Sequence, residues 1–264
     1  MSLFNVYPLF DITPVKAKDV FVYDKNGAQY LDLYGGHAVV SIGHSHPKYV
    51  KNISDQVSKI GFYSNSIQNP LQVALADELV QQSNCKDYQL FLCNSGAEAN
   101  ENALKLASFH TGKKKVISFT NSFHGRTSAA VAATDNVKIV APINAQQEVA
   151  FFDLGDLESV EKALKKEDVC AVIIECIQGV GGLDESTTEF YKGLEALCRK
   201  YKTVFIADEV QSGFGRTGDF FAFQKHNITP DIISIAKGMG NGFPIGGILI
   251  HPTIKASYGL LGTT

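Results

Sequence analysis

Long apolar runs are absent from this sequence of 264 residues, and no run approaches the length that a membrane-spanning helix needs. The first ten residues lack the basic-then-apolar order of a signal peptide. Lys and Arg are dense only at residues 113–115, and a net charge of −3 does not favour nucleic acid or an acidic membrane surface as a partner. We therefore expect a cytoplasmic protein whose partners are small molecules.

Cysteine pairs are absent as well. The five cysteines form an odd number, and none belongs to a C-x-x-C motif. Several lie in apolar runs, where a free cysteine behaves as a small hydrophobic residue. His37, His44 and His46 lie close together, but no cysteine or acid nearby completes a set of metal ligands. We expect reduced thiols and no metal site.

From Pro70 onward the sequence alternates helical patterns with short strand patterns. The nearly continuous apolar run at 169–176 is typical of a strand buried on both faces. Such alternation predicts an α/β domain with a mainly parallel central sheet and helices on both faces. The predicted strands are 89–93, 116–119, 169–176, 203–207, 232–235 and 247–250, with helices from Pro70, at 96–110, at 157–165 and around 190–201. Before this domain, residues 20–33 predict two short strands around a turn at 24–27.

Ligands of such sheets bind beyond the carboxyl ends of the strands. Ser95, followed three residues later by Glu98, fits a capping box directly after the strand 89–93. Gly96 lets the backbone approach a ligand closely, and a helix start offers unpaired N–H groups to a phosphate. Taken alone, the motif favours an ordinary capped helix over a phosphate site.

Two other strand ends carry charged side chains. Asp208 and Glu209 follow an apolar strand, where carboxylates are costly unless a positive group meets them. A pyridinium nitrogen, a metal ion or a nucleotide would each fit there. Lys237 ends another apolar strand, where desolvation lowers a lysine pKa and favours the neutral amine that attacks an aldehyde. A lysine that extends from the strand end into solvent is the competing interpretation.

Residues 122–127 combine an aromatic ring with an arginine. Phe123 offers a face for stacking, and Arg126 suits bidentate recognition of a carboxylate. His124 fits a proton shuttle, although a structural histidine with satisfied hydrogen bonds is the simpler interpretation. A phosphate cradle, a stacking ring, a buried acid and a strand-end lysine together meet the needs of pyridoxal 5′-phosphate (PLP).

Five motifs also resemble one enzyme family. They are N-S-G-A-E-A-N (94–100), S-F-H-G-R-T (122–127), D-E-V-Q-S-G-F-G-R-T-G (208–218), P-D-I-I-S-I-A-K-G (230–238) and G-F-P-I-G-G (242–247). They resemble the class III aminotransferases of PLP fold type I, and in particular the acetylornithine and succinylornithine aminotransferase branch. The resemblance extends from about residue 20 to residue 264.

The resemblance implies a role for each matching residue. Lys237 would bond the cofactor aldehyde and carry a proton during catalysis, and Asp208 would keep the ring nitrogen protonated. The other implied contacts are Gln211 at the ring hydroxyl, Val210 behind the ring, Phe123 in front of it, Ser95, Gly96 and Ala97 at the phosphate, and Arg126 at a substrate carboxylate. Thr264 and Thr263 would reach the cofactor phosphate and the substrate of a partner subunit, so a homodimer with shared active sites is implied.

Two segments depart from the family pattern. Val180 stands where the family usually has a glutamate, and residues 66–69 read S-I-Q-N in place of a more aromatic and acidic stretch. We expect a changed acyl preference, with N-succinylornithine favoured over N-acetylornithine.

The resemblance also predicts that residues 1–50 form an N-terminal segment with short strands, part of the small domain, and that residues 51–264 form the large PLP-binding domain. A carboxy-terminal domain found in the family is expected to be missing from this chain.

The implied activity is transfer of the δ-amino group of an N-acylornithine to 2-oxoglutarate, giving glutamate, in arginine biosynthesis. One alternative is another class III ω-aminotransferase, acting on ornithine or 4-aminobutyrate. An aminomutase or decarboxylase on the same fold is a further alternative, because fold does not fix reaction. A third is an inactive fragment that binds PLP or a partner subunit without turnover.

Overall fold

The computed structural model describes residues 4–254 and 261. Its internal contacts divide the chain into two units, Met1–Ser64 and Asn65–Thr264. The division therefore lies at residue 64, and residue 50 is inside a helix of the first unit. That the first unit belongs to the small domain of the family stays a prediction.

The first unit contains an antiparallel sheet of three strands in the order β1-β2-β3. The hairpin predicted at residues 20–33 is confirmed, and its turn is closed by Asp24, whose Oδ1 accepts the N–H groups of Asn26 and Ala28 at 2.9 Å. The sequence did not predict β1. The elements are β1 (Pro14–Lys18), β2 (Phe21–Asp24), β3 (Gln29–Leu31), the single left-handed turn α1 (Gly35–Ala38) and α2 (Pro47–Lys59).

The second unit is built on a sheet of seven strands in the order β4-β10-β9-β8-β7-β5-β6. The neighbours from β9 to β6 are parallel, whereas β10 is antiparallel to both β9 and β4. The predicted mainly parallel sheet is confirmed. The strands are β4 (Gln89–Cys93), β5 (Lys115–Phe119), β6 (Val149–Phe152), β7 (Val169–Ile174), β8 (Val204–Asp208), β9 (Ile232–Ile235) and β10 (Gly246–Ile250).

Helices cover both faces of this sheet, as predicted. Successive residues of β8 point to opposite faces, so Phe205 packs with the residues of α6 and α7 and Ile206 packs with those of α4. The helices are α3 (Pro70–Ser83), α4 (Gly96–Thr111), α5 (Ser128–Ala132), α6 (Leu157–Leu164) and α7 (Thr188–Lys200). Across the described residues, no helix has the length and apolar character to span a bilayer.

Candidate functional site

The predicted cofactor residues of the second unit meet at one edge of its sheet. Ser95 follows β4, Asp208 ends β8, and Lys237 follows β9. Strands β8 and β9 are parallel, and β4 and β9 are both antiparallel to β10. The carboxyl ends of all three strands therefore lie at the same edge, which is where a ligand of a parallel sheet binds.

The start of α4 has the geometry of an anion cradle. Ser95 is the N-cap, and its Oγ accepts the Glu98 N–H at 3.2 Å. Glu98 accepts the N–H of Asn94 at 2.7 Å, so the predicted capping box is closed one residue earlier than expected. A Cβ on Gly96 would lie 2.5 Å from the Val210 side chain, so only glycine lets Val210 lie against the helix start.

Asp208 is held by three donors. It is only 3% exposed, and its Oδ2 accepts hydrogen bonds from His124 Nδ1 and Asn100 Nδ2, both at 2.7 Å. Its Oδ1 accepts the Val210 N–H at 3.0 Å and retains a lone pair for a further donor. These bonds fix the orientation of the carboxylate.

His124 is one of the two side chains that hold Oδ2 of Asp208. Because an ionised carboxylate only accepts, His124 Nδ1 carries the hydrogen in this contact. His124 is buried, and its Nε2 has no hydrogen-bond partner among the described residues. The interpretation of His124 as a fully satisfied structural histidine is therefore wrong for one of its two ring nitrogens. Nothing in the sequence motif pairs His124 with Asp208, since 84 residues separate them.

Phe123 and Arg126 flank His124 on the loop after β5. The Phe123 N–H donates to the Oε1 of Glu175 at 2.9 Å, which ties this loop to the end of β7. Burial raises the pKa of the Glu175 carboxyl. Phe123 is partly buried, and Arg126 is exposed at the surface. The loop thus carries one partly buried ring and one guanidinium in contact with solvent.

Lys237 begins a short 3-10 turn directly after β9. Its φ is +46°, a left-handed value that is uncommon for a residue with a Cβ. Burial lowers the pKa of the Lys237 ammonium, and the nearby carboxylates of Asp208 and Glu175 oppose that shift. Within the described part of the chain no acidic side chain forms an ion pair with Lys237. Lys237 is therefore partly buried rather than extended into solvent, and its pKa shifts in the direction expected of a desolvated amine.

Gln211 lies on the loop after β8 and packs against the loop after β7. A Cβ on Gly179 would come within 1.5 Å of the Gln211 Oε1 atom, so the two loops touch only because residue 179 is glycine. The neighbouring Val180 is 60% exposed. Residues 66–69 are exposed, and the predicted site residues Thr263 and Thr264 lie outside the described residues.

The arrangement fits PLP. Among residues 4–254 and 261, no three His, Cys, Asp or Glu side chains are grouped to hold a metal ion. Asp208 offers an oriented carboxylate to a ring nitrogen, the start of α4 offers N–H groups to a phosphate, and Lys237 offers an amine to an aldehyde. All three lie at one sheet edge.

Comparison with known proteins agrees with this geometry. The chain matches the family Aminotransferase class-III over residues 5–264. It belongs to the class III aminotransferases. A relative from Bacillus subtilis, an acetylornithine aminotransferase, is 42% identical to this chain, and the alignment covers 100% of this chain and 69% of the relative.

Solved structures of aminotransferases superimpose on the chain. The N-acetylornithine aminotransferase of Stenotrophomonas maltophilia is 33% identical, with a TM-score of 0.81, over 97% of this chain and 65% of that one. The taurine:2-oxoglutarate aminotransferase of Bifidobacterium kashiwanohense, solved with PLP and glutamate, is 28% identical with a TM-score of 0.88, over 96% and 63%. The chain thus spans about two thirds of the length of these relatives.

Proposed function

We propose that this chain is a PLP-dependent transaminase that moves the δ-amino group of an N-acylornithine to 2-oxoglutarate. The observation that carries the proposal is the oriented, buried carboxylate of Asp208 at the same sheet edge as the partly buried amine of Lys237. The substrate class rests on the 42% identity to the acetylornithine aminotransferase of Bacillus subtilis. Arginine biosynthesis is the corresponding pathway.

PLP, when bound, supplies an aldehyde that captures the substrate amine and a protonated ring that accepts electrons from it. Each proposed role belongs to a residue described above. Lys237 would hold the cofactor and move a proton at its Nζ, a role that the downward shift of its pKa by burial supports. Asp208 would accept a hydrogen bond from the ring nitrogen at Oδ1, the oxygen that retains a lone pair.

The remaining proposed contacts follow the geometry of the loops. Ser95, Gly96 and Ala97 would hold the phosphate, since they form the start of α4. Phe123 and Val210 would pack on the two faces of the ring, and Gln211 would bond its hydroxyl. Arg126, which is exposed, would bind a substrate carboxylate.

A homodimer with shared active sites and a cytoplasmic location complete the proposal. Thr264 and Thr263 are proposed to reach the cofactor phosphate and the substrate of the partner subunit. In the same proposal residues 1–50 belong to the small domain and residues 51–264 form the PLP-binding domain. Sedimentation of the purified chain with PLP tests the dimer, with a monomer as the result that contradicts it.

The activity is tested by incubating the PLP-loaded chain with N-acetylornithine and 2-oxoglutarate and measuring glutamate. We expect glutamate that depends on both substrates and is lost in Lys237→Ala. A chain that takes up PLP and is not bleached by any amino donor would support the binding-only alternative. Release of CO₂ or an isomerised amino acid without glutamate would support a decarboxylase or an aminomutase.

The acyl preference is tested in the same assay. Val180 is exposed beside the Gly179–Gln211 contact, and an apolar side chain there offers no charge to an incoming cationic or anionic substrate. We propose faster turnover of N-succinylornithine than of N-acetylornithine, with ornithine and 4-aminobutyrate as comparison donors. Equal rates for the two acylated donors would contradict this preference.

A further inference from the structure

Asn100 is a buried side chain that contacts both Asp208 and the loop after β5. It is on the second turn of α4, four residues after Gly96, and is 1% exposed. A buried amide is costly unless its hydrogen bonds are made, so its contacts identify what it does.

Both hydrogens of the Asn100 amide are used in short hydrogen bonds. Nδ2 donates to Oδ2 of Asp208 and to the backbone carbonyl of His124, each at 2.7 Å. The other end of the amide, Oδ1, is buried and has no partner among the described residues. The opposite orientation would place Oδ1 against two oxygens, so these contacts specify an NH₂ group at this position.

The two acceptors belong to different functional parts of the site. Asp208 is the proposed partner of the ring nitrogen, and His124 follows Phe123, the proposed stacking ring. The same loop is pressed against α4 where a Cβ on Gly125 would lie 2.8 Å from Ala97. One amide therefore joins the acid, the stacking loop and the phosphate-binding helix.

We infer that Asn100 is a positioning residue that orients the Asp208 carboxylate for the ring nitrogen of the cofactor and fixes the Phe123 loop in register with it. This inference rests on the proposed function, because it assumes that Asp208 meets the ring nitrogen. Asn100 itself touches neither cofactor nor substrate in this account. Its effect on cofactor binding should therefore pass through Asp208.

The chain offers a matched control on the same helix. Asn102 is partly buried, and its Nδ2 donates to the Glu98 carbonyl of α4 at 2.9 Å rather than to the site. Asn102→Ala and Asn102→Asp change the same side-chain type by the same number of atoms and charges. They test for effects on α4 that do not involve Asp208.

The first experiment compares the dissociation constant of PLP with that of an analogue in which a C–H replaces the ring nitrogen. Asn100→Ala removes a hydrogen bond to the charged Asp208. The dissociation constant of PLP should therefore rise about tenfold in this variant. The analogue gives Asp208 nothing to bind, so its affinity should change by less than about threefold. Asn102→Ala should leave both affinities unchanged.

Equal losses for PLP and the analogue in Asn100→Ala would overturn the inference, because they would show a structural role only. The proposed function would fail in a different way. In that case the wild-type chain would bind PLP and the analogue with equal affinity, or would not attach PLP at Lys237. If Asn100→Ala does not fold, Asn100→Ser, which keeps one donor, replaces it. Asn100→Ser should still weaken the binding of PLP more than the binding of the analogue.

The second experiment needs no cofactor. Asn100→Asp places a second carboxylate beside Asp208, where burial and like charge raise its pKa. A raised acid pKa destabilises the fold as pH rises, so the melting temperature of Asn100→Asp should fall from pH 5 to pH 8 relative to wild type. Asn102→Asp should show no such relative fall. The same pH dependence in both variants would mean that Asn100 does not face Asp208, and would overturn the inference.

Discussion

Asp208 and Glu209 are adjacent carboxylates at the end of β8, and they lie in different surroundings. Asp208 accepts hydrogen bonds from the side chains of His124 and Asn100 at the sheet edge. Glu209 is fully buried and accepts the Ser212 hydroxyl at 2.7 Å and the N–H groups of Ala222 and Phe223 at 3.0 and 2.8 Å. Burial raises the pKa of Glu209 to about 7.

The different contacts of the two acids indicate different roles, with Asp208 serving the site and Glu209 stabilising the loop after β8. The two side chains that bind Asp208 both contact Oδ2, and Oδ1, which accepts the Val210 N–H, retains a lone pair for a ligand. Glu209 instead closes the long loop after β8 by accepting backbone donors from the 3-10 turn Ala222–His226. We therefore expect substitutions at 208 to act on activity and substitutions at 209 to act on stability.

The largest expected effect is on activity at Asp208. Asp208→Asn keeps the shape of the side chain but removes the charge that a ring nitrogen needs to stay protonated, so amine transfer should fall roughly a thousandfold. Its free energy of unfolding should change by only about 1 kcal/mol. Steady-state rates and urea unfolding measure the two effects. A drop in stability as large as that of Glu209→Ala would contradict the separation.

Glu209→Ala should show the reverse pattern. It leaves two buried N–H groups and the Ser212 hydroxyl without an acceptor and opens a cavity, so the free energy of unfolding should fall by roughly 4 kcal/mol. Activity per folded molecule should fall less than about tenfold, because Glu209 does not face the site. Urea unfolding and active-site titration with PLP check this. Full stability with lost activity would contradict it.

The pH dependence of stability sharpens the same comparison. The pKa of Glu209 is raised in the folded state, to about 7, so ionisation destabilises the fold as pH rises from about 4.5 to about 7. Glu209→Gln cannot ionise and should remove about 2 to 3 kcal/mol of that fall. Urea midpoints between pH 5 and pH 8 measure it. A wild-type curve that the substitution leaves unchanged would argue against a buried, titrating Glu209.

The smallest expected effect concerns Lys237 in the cofactor-free protein. Burial lowers the pKa of this ammonium in the folded state. As pH falls below the pKa of lysine in the unfolded chain, the unfolded state binds the proton more readily, and the fold loses stability. Lys237→Met removes a buried ionisable amine and with it the cost of desolvating the charged form, so the free energy of unfolding should rise by about 1 kcal/mol at pH 7. The exposed Lys105→Met is the matched control and should change it by less than about 0.5 kcal/mol. A loss of stability in Lys237→Met would contradict the assignment.

Much of the fold could be predicted from the sequence, because buried parallel strands are continuous apolar runs. The strands β4 and β9 have the predicted bounds, and β7 ends two residues before the predicted position. Strand β6 was missed although all four of its residues are apolar, because so short a run does not by itself distinguish a strand from other apolar segments. Helix α5, with five residues, is too short for a helical period to show.

The sequence predicted which residues stand at the strand ends of the site, but it did not predict the hydrogen bonds between them. Ser95, Asp208 and Lys237 follow apolar runs in the sequence, and the structure places them at one edge as expected. The hydrogen bonds to Asp208 join residues 84 and 108 positions apart, and no local pattern reports such pairs. That Glu209 turns away from the site likewise depends on the loop that it closes.

The most direct test of the account is chemical labelling at position 237. Purified protein would be incubated with PLP, reduced with borohydride, digested and analysed by mass spectrometry. We predict that the reduced cofactor is found on the peptide that contains Lys237, and that Asp208→Asn lowers the amount attached at a limiting PLP concentration. Attachment to other lysines, or none at Lys237 with saturating PLP, would contradict the account.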